Sequence, residues 1–209
     1  MDKANFIHFC LTQGALHFGE FRLKSGRLSP YFFNVGVIHH AAALARLGDA
    51  YASRLFDQPM DVLFGPAYKG IPLVVTTALA LDRLYASNLP IAYNRKEIKT
   101  HGEGGQLVGA PLAGNVWIID DVMTAGTAVR ESLSLIQAAG ATARGVIVSL
   151  DRQERGQRGV SAVQEIQQDY QIPVLSLITL TDILEYVRDD PRCREHQTRL
   201  AEYQAAYGL

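Results

Sequence analysis

From about residue 40 onwards, the apolar residues of this chain alternate between two patterns. Apolar residues every three or four positions are typical of amphipathic helices, and short unbroken apolar runs are typical of strands buried on both faces. The pattern predicts an interleaved series of helices at 40–56, 69–85 and 127–139 and strands at 61–65, 90–94, 116–119 and 143–150. Such alternation indicates an α/β fold, with a mainly parallel central sheet flanked by helices.

The two ends of the chain depart from this alternation. Apolar positions from Phe6 to Leu16 predict an amphipathic helix over residues 2–17, and turn residues at 24–27 separate two short strands. We interpret residues 1–38 as a small helix-plus-hairpin hood on a core of about 40–180. The C-terminal part predicts a helix near 160–170, a strand at 173–178 and a helical tail over about 180–209. With no linker or repeat in between, we expect a single domain over 1–209.

Residues 95–110 match neither the helical spacing nor the apolar runs typical of buried strands. The segment has four glycines, at 102, 104, 105 and 109, and four cationic side chains, Arg95, Lys96, Lys99 and His101. A segment of this length that fits no element is commonly a functional lid or a solvated surface loop. We predict a flexible loop, and its cations favour a lid that closes over an anion.

Composition narrows the class of protein. The chain has 209 residues, 48% of them apolar, and a formal net charge of −1. This charge gives no electrostatic footprint for nucleic acid or for an acidic membrane surface, and no apolar run is long enough to span a bilayer. The two cysteines, Cys10 and Cys193, are far apart and lack metal-ligand spacing, so we expect a reducing, cytoplasmic location.

The most informative stretch is residues 116–127, VWIIDDVMTAGT. A buried strand over 116–119 leads into a predicted helix that begins near Thr127. The unpaired N–H groups and the dipole at a helix N-terminus attract anions, and Thr124, Gly126 and Thr127 add hydroxyl donors and an open backbone. The pattern therefore predicts a phosphate-binding cradle.

Two adjacent carboxylates, Asp120 and Asp121, end the strand before this cradle. Carboxylates repel a phosphate, so they are expected to face sugar hydroxyls, a magnesium ion or positive charge that develops on a ribose ring. A ribose phosphate satisfies both halves of the motif. An Asp-Asp turn that merely caps a helix is the alternative, and the Thr-Ala-Gly-Thr that follows favours the ligand site.

These residues resemble a known family. The motif at 116–127 is similar to the phosphoribosyl pyrophosphate (PRPP) signature of type I phosphoribosyltransferases. Further motifs narrow the resemblance to the orotate phosphoribosyltransferase family: FRLKSGR at 21–27, SPYFFN at 29–34, GPAYKGIP at 65–72, YNRKE at 93–97, HGEGG at 101–105 and DRQERG at 151–156. The resemblance implies the type I phosphoribosyltransferase fold, with an N-terminal hood and a flexible catalytic loop.

The resemblance also implies an activity, the transfer of ribose 5-phosphate from PRPP to N1 of orotate in pyrimidine biosynthesis. It implies Mg²⁺ carried mainly by PRPP, with no direct protein metal site. It further implies a homodimer in which the loop around 95–107 reaches the neighbouring subunit's site.

Residue roles follow from the same resemblance. Lys99 and His101 would assist the departing pyrophosphate, with the lysine preferred, and Asp120 and Asp121 would serve the ribose ring. The implied PRPP contacts are Lys24, Tyr68, Lys69, Arg95, Lys96, Lys99, His101, Asp120, Asp121, Val122, Met123, Thr124, Ala125, Gly126, Thr127 and Ala128. The implied orotate contacts are Phe32, Phe33, Thr124 and Arg152.

Alternatives stay open at this point. Without the family, Phe32 and Phe33 fit a hairpin core, and Arg152 fits a solvated charged turn. A phosphoribosyltransferase for another base would keep the cradle, and a regulator that binds PRPP or a nucleotide without catalysis would keep the fold. Lys24, the pair Phe32-Phe33 and Arg152 favour orotate, and the cationic loop favours an enzyme.

Overall fold

The computed structural model describes residues 1–23, 26–99 and 105–209, and only the backbone of residues 98 and 99. In this part of the chain the helices and strands are, in order, α1 Lys3–Thr12, β1 Leu16–Arg22, β2 Leu28–Phe33, α2 Ala41–Leu55, β3 Val62–Gly65, α3 Gly70–Tyr85, β4 Ile91–Lys99, β5 Gly105–Gly109, β6 Asn115–Val122, α4 Thr127–Ala138, β7 Thr142–Asp151, α5 Ala162–Tyr170, β8 Val174–Thr179, α6 Leu180–Asp189 and α7 Gln197–Tyr207. Short 3₁₀ turns follow β2 and precede α7, at Val35–Val37 and Arg194–His196.

The central sheet has six strands in the order β5-β4-β3-β6-β7-β8. Strands β4, β3, β6, β7 and β8 are parallel, and β5 pairs antiparallel with the outer edge of β4. The predicted α/β class with a mainly parallel sheet is confirmed. Because parallel strands end at the same edge of a sheet, the loops after β3, β6 and β7 lie side by side.

The core lies on both faces of the sheet. Along β6, Trp117 and Ile119 pack on one face with α2 and α3, while Val116 and Ile118 pack on the other face with α4. This two-sided burial explains why the strand is continuously apolar. It also fixes the direction of the two carboxylates that follow Ile119.

The N-terminal segment forms a helix and an antiparallel hairpin, β1–β2. The predicted helix over 2–17 is too long, since α1 ends at Thr12 and Leu16 already pairs with Phe33 in the hairpin. Gly14 explains the end of the helix, because its φ of +68° is a left-handed conformation that favours glycine. Helix α1 packs against α6 and β8, so the hairpin is anchored to the β8 side of the sheet.

The prediction that residues 95–110 fit no element is wrong for the described part of that segment. Strand β4 continues to Lys99, and β5 returns antiparallel with Tyr93 opposite Val108 and Asn94 opposite Leu107. Leu107 packs against the core, which gives the two-stranded arm a reason to form. The predicted loop tip, residues 100–104, lies outside the described residues.

No helix in the described ranges is long and apolar enough to cross a membrane.

Candidate active site

The loops at the carboxyl ends of β3, β6 and β7 bring together most of the predicted site residues that the structure describes. They carry Tyr68 and Lys69 after β3, Asp120 to Thr127 around the end of β6, and Arg152 after β7. This is the edge at which open parallel sheets bind ligands.

The predicted cradle is the N-terminus of α4. Gly126 occupies the N-cap with a φ of +71°, and no side chain caps the helix there. A Cβ at Gly126 would meet only side chains at ordinary distances, so the backbone conformation, and not space, requires glycine. Thr124, Ala125 and Thr127 are exposed around this N-terminus, which leaves its N–H groups open to an anion.

The two carboxylates end β6 in different environments. Asp121 is buried, 7% exposed, and its Oδ1 accepts the N–H of Val122 at 2.8 Å, whereas Asp120 is half-buried and its Oδ1 accepts the N–H of Asp121 at 2.8 Å. Desolvation first, and then the charge of Asp121, raises the pKa of Asp120 from 3.8 to about 7. Near neutral pH this pair therefore carries less than two negative charges.

Lys69 offsets the remaining charge. Its Nζ lies 2.7 Å from Oδ2 of Asp121, across the gap between the loops after β3 and β6. The lysine is half exposed at the N-cap of α3, so its other two N–H donors remain accessible. This ion pair explains how two carboxylates and a phosphate cradle lie together without strong repulsion.

The turn 66–69 that presents Lys69 is held by glycine packing and by one buried amide. A Cβ on Gly65 would collide with the carbonyl oxygen of Gly70, so the turn closes only with glycine there. The side-chain Oδ1 of Asn94, on the neighbouring strand β4, accepts the N–H of Ala67 at 2.8 Å. Tyr68 projects from this turn with 71% of its surface exposed. The turn also contains a cis peptide bond between Ala67 and Tyr68.

Sequence reasoning missed three buried polar residues that support these loops. Asn94 is one, and Tyr51 and Ser149 are the others. The Tyr51 hydroxyl donates to the carbonyl oxygen of Asp120 at 2.7 Å and accepts from Ser149 Oγ at 2.5 Å. A lone polar residue in an otherwise apolar run, such as Ser149 within residues 146–150 of β7, was the available signal. Nothing in the sequence pairs it with Tyr51, 98 positions away.

Arg152 is buried, 6% exposed, and is not the solvated turn residue of the alternative interpretation. Its guanidinium lies 4.3 Å from the ring centre of Tyr31 and 2.6 Å from Oε1 of Glu154, and its Nη2 donates to Ser29 Oγ at 3.2 Å. Burial opposes the charge, yet Tyr31 and Glu154 raise the pKa of Arg152. The arginine is thus a fixed cation.

Thr124 and Arg152, both predicted to contact one ligand, line the same small pocket. Its walls come from Met123, Thr124, Asp151, Arg152, Gln153, Glu154, Ser161 and Ala162. The pocket joins the β6 loop to the β7 loop beside the cradle.

The two phenylalanines that the resemblance assigns to orotate, Phe32 and Phe33, lie in different environments. Phe33 is 6% exposed and belongs to the core, whereas Phe32 is 40% exposed and lies 5.5 Å from the ring centre of Phe21. The hairpin-core interpretation therefore describes the side chain of Phe33. Only the ring of Phe32 is open to a ligand.

The predicted loop cations are described in part. Lys96 Nζ lies 4.0 Å from Oε2 of Glu131 on α4, and Arg95 Nη1 donates to the carbonyl oxygen of Gly105 at 3.2 Å. Lys24, His101 and the side chain of Lys99 lie outside the described residues.

The acids at the end of β6 fit a metal ion only as minor ligands. Three of their four oxygens accept hydrogen bonds from Lys69, Val122 or Asp121, and within the described chain only Oδ2 of Asp120 has no such partner. Across the described part of the chain, no three or more His, Cys, Asp or Glu side chains are arranged to hold a metal ion. This donor set fits Mg²⁺ coordinated mainly by oxygens of a phosphorylated ligand.

Comparison with known proteins agrees with this geometry. Residues 34–174 match the phosphoribosyl transferase domain family. The orotate phosphoribosyltransferase of Pseudomonas putida is 54% identical over 209 residues, which cover 99% of this chain and 98% of that protein. A crystal structure of orotate phosphoribosyltransferase from Francisella tularensis has a TM-score of 0.86 and 43% identity, covering 98% of this chain and 100% of the other.

A more distant structure shares the fold. The Mycobacterium tuberculosis orotate phosphoribosyltransferase in complex with PRPP has a TM-score of 0.65 and 19% identity, over 88% of this chain and 99% of that one. With the domain match and the near full-length identity above, the chain belongs to the orotate phosphoribosyltransferase family, which has the type I phosphoribosyltransferase fold.

Proposed function

We propose that the protein transfers ribose 5-phosphate from PRPP to N1 of orotate, giving orotidine 5′-monophosphate and pyrophosphate in pyrimidine (UMP) biosynthesis. Its family makes it a pentosyltransferase. The observation that carries the proposal is the Asp120–Asp121 pair beside the open N-terminus of α4, with Lys69 bound to Asp121. The N-terminus of α4 suits the phosphate, the two carboxylates suit the ribose ring, and Lys69 suits the pyrophosphate.

PRPP binds across the three loops. The N–H groups of Thr127 and Ala128 and the hydroxyls of Thr124 and Thr127 hold the 5′-phosphate, with Val122, Met123, Ala125 and Gly126 shaping the turn. Asp120 and Asp121 accept hydrogen bonds from the ribose hydroxyls. Tyr68 and Lys69, with Lys24 and the loop cations, hold the pyrophosphate. The half-exposed Lys69 can contact the pyrophosphate while it stays paired with Asp121.

The reaction forms the N1–C1 bond as the bond from C1 to the pyrophosphate oxygen breaks, and the proton of orotate N1 is released to water. The electron pair leaves with pyrophosphate, and C1 passes through a state of oxocarbenium character. The negative charge of the Asp120–Asp121 pair favours this positive ring, and Lys99 stabilises the leaving group, with His101 as the second candidate for that role. We propose that Mg²⁺, bound mainly by PRPP, supplies further charge neutralisation at the pyrophosphate. A closed loop excludes water that would hydrolyse PRPP.

Orotate lies at the mouth of the pocket between Thr124 and Arg152, because the cavity itself, about 10 Å³, is too small to enclose a pyrimidine ring. Among the described residues of the pocket wall only Arg152 carries a full positive charge, so it is the partner of the orotate carboxylate. The exposed ring of Phe32 covers the pyrimidine from the hairpin, and the backbone near Phe33 completes that wall.

Arg152→Lys is expected to raise KM for orotate at least about tenfold, because lysine keeps the charge but loses the planar guanidinium fork. The KM for PRPP should change little. Lysine keeps a cation beside Oε1 of Glu154, whereas an alanine would remove the shorter of the two ion pairs of this carboxylate. Steady-state kinetics with Arg158→Lys, an exposed arginine paired with Asp169, as the control would test this. An unchanged KM for orotate would remove Arg152 from the base site.

Asn94→Ala is expected to raise KM for PRPP about three- to tenfold, since the turn 66–69 loses the acceptor for the Ala67 N–H. The KM for orotate should stay within error, because the pocket near Arg152 is formed by other loops. Both constants come from one set of initial-rate measurements. A shift confined to orotate would contradict the supporting role of Asn94.

We further propose a homodimer, in which the loop around 95–107 completes the partner's site. The α3 side of the chain presents exposed apolar side chains: Val75, Leu79, Tyr85 and the stacked ring of Phe56. In a symmetric dimer, each copy would bury this apolar patch against the same patch of the other copy.

The proposed cytoplasmic location has its own support: both cysteines are free thiols.

The reverse reaction tests the proposed function independently of base uptake. Purified protein given orotidine 5′-monophosphate, pyrophosphate and Mg²⁺ should release orotate, seen by its ultraviolet absorbance. Release that requires pyrophosphate supports transfer, and hydrolysis to orotate without pyrophosphate would contradict it.

A further inference from the structure

The C-terminal helix α7 reaches the proposed base site. Tyr203 on this helix is 5% exposed, and its hydroxyl donates to Oε1 of Glu154 at 2.7 Å. The same hydroxyl accepts a long hydrogen bond from Nη2 of Arg152, at 3.4 Å. A residue 51 positions away in sequence is therefore bound to the arginine that faces the pocket.

Glu154 turns this contact into a clamp. The clamp consists of Glu154 and Tyr203: Oε1 of Glu154 accepts hydrogen bonds from Nε of Arg152, at 2.7 Å, and from the Tyr203 hydroxyl. The other carboxylate oxygen, Oε2, lies 3.5 Å from Nη1 of Arg27 on the hairpin side. The clamp engages the Nε and Nη2 edge of the Arg152 guanidinium. Within the described chain Nη1 of Arg152 makes no hydrogen bond, so that nitrogen is available to a carboxylate.

The end of the chain also fixes the turn that carries these two residues. The N–H of Arg155 donates to the carbonyl oxygen of Tyr207 at 2.8 Å, and the N–H of Leu209 donates to the carbonyl oxygen of Gln153 at 3.1 Å. Gln153, between Arg152 and Glu154, has a φ of +51°. Residues other than glycine adopt this backbone conformation only when the surrounding structure holds them in it. The C-terminal residues provide part of that hold.

We propose that Tyr203 is a positioning residue for the base: by binding Glu154 it fixes the guanidinium of Arg152 so that Nη1 faces the orotate carboxylate. This inference rests on the proposed function, because it takes Arg152 as the orotate contact. It gives the C-terminal helix a role in base binding, separate from the PRPP loops after β3 and β6.

The direct test is Tyr203→Phe, which removes the hydroxyl and keeps the ring that packs against Tyr31 and Tyr207. We expect KM for orotate to rise about three- to tenfold while KM for PRPP and kcat stay within twofold, about the effect of one hydrogen bond to a charged group. The matched control is Tyr207→Phe on the same helix, whose hydroxyl makes no hydrogen bond to any described residue. Its kinetic constants should equal those of the unmodified protein.

A double-mutant cycle with Arg152→Lys separates the possible outcomes. If Tyr203 acts through Arg152, Tyr203→Phe should add little once Arg152 is lysine. Additive effects, an equal rise in both KM values, or an unchanged KM for orotate would each overturn the positioning role, and thermal unfolding of every variant identifies general loss of structure. If Arg152→Lys itself leaves KM for orotate unchanged, the assignment of Arg152 fails first and this inference fails with it.

Discussion

Replacing Lys99 by alanine is expected to lower kcat by about 10²–10³-fold, the cost of removing one group that stabilises charge developing in a transition state. Pyrophosphate leaves C1 with its electron pair, and we propose Lys99 as the cation that meets it. Lys99 is the last residue of β4, beyond Asn94, whose partner Leu107 anchors the arm in the core, so the variant should unfold at the same temperature as the unmodified protein. Glu97→Gln, an exposed change two positions away, is the control for the arm itself.

Mixing two inactive variants extends this prediction to the proposed dimer. If the loop serves the neighbouring subunit, a dimer of one Lys99→Ala chain and one Asp120→Asn chain has one site with both changes and one intact site. Random exchange of equal amounts should then restore about a quarter of normal activity, since about half the dimers are mixed and each has one working site of two. No recovery after verified subunit exchange would contradict the shared loop, and normal turnover by Lys99→Ala alone would remove the lysine from the mechanism.

Asp120→Asn should lower kcat by about 10²–10³-fold and at the same time stabilise the fold at alkaline pH. The loss of activity follows from the loss of negative charge beside the ribose ring. The gain in stability follows from desolvation and the charge of Asp121, which raise the pKa of Asp120 from 3.8 to about 7. Above that pH the folded protein holds an unfavourable carboxylate that the amide replaces.

The sign of this effect is set by proton binding. Between pH 3.8 and about 7 the folded state binds a proton at Asp120 that the unfolded chain has released, so this contribution to stability is complete below the lower value and lost as pH rises through the upper one. At pH 8 the Asn variant should have the higher Tm, by about 2–4 °C for each kcal/mol relieved. Asp169→Asn is the control of opposite sign, because Arg158 and Arg130 lower the pKa of Asp169. A lower Tm for Asp120→Asn at pH 8 would contradict the raised pKa.

Local sequence patterns predicted most of the helices and strands and the strand–turn–helix at the centre of the proposed site. The apolar run ending in Asp120 and Asp121 predicted a buried strand, and the Thr-Ala-Gly-Thr after it predicted the helix N-terminus that the structure places there. Both are properties of neighbouring residues, which a sequence pattern records directly. The same reliance on local pattern overextended α1 to residue 17 and missed the β4–β5 arm, whose pairing Leu107 anchors in the core.

Long-range contacts were beyond the sequence pattern. Nothing near Asp121 indicates that Lys69 is its partner, and nothing near Arg152 indicates that a tyrosine on the last helix binds it. Such pairs arise from the order of strands in the sheet and from the packing of the C-terminus on the hairpin. They concern the orientation of the groups proposed for the site, while the motifs supplied the proposal of which residues those groups are.

The most direct test of the central claim is consumption of orotate by the purified protein with PRPP and Mg²⁺, followed by ultraviolet absorbance, with adenine, hypoxanthine and uracil as alternative bases. We predict rapid loss of orotate that requires both PRPP and Mg²⁺, and no reaction of the other three bases. Turnover of another base in preference to orotate would contradict the assignment of Arg152 and the hairpin, and PRPP binding without turnover of any base would contradict the assignment of an enzyme.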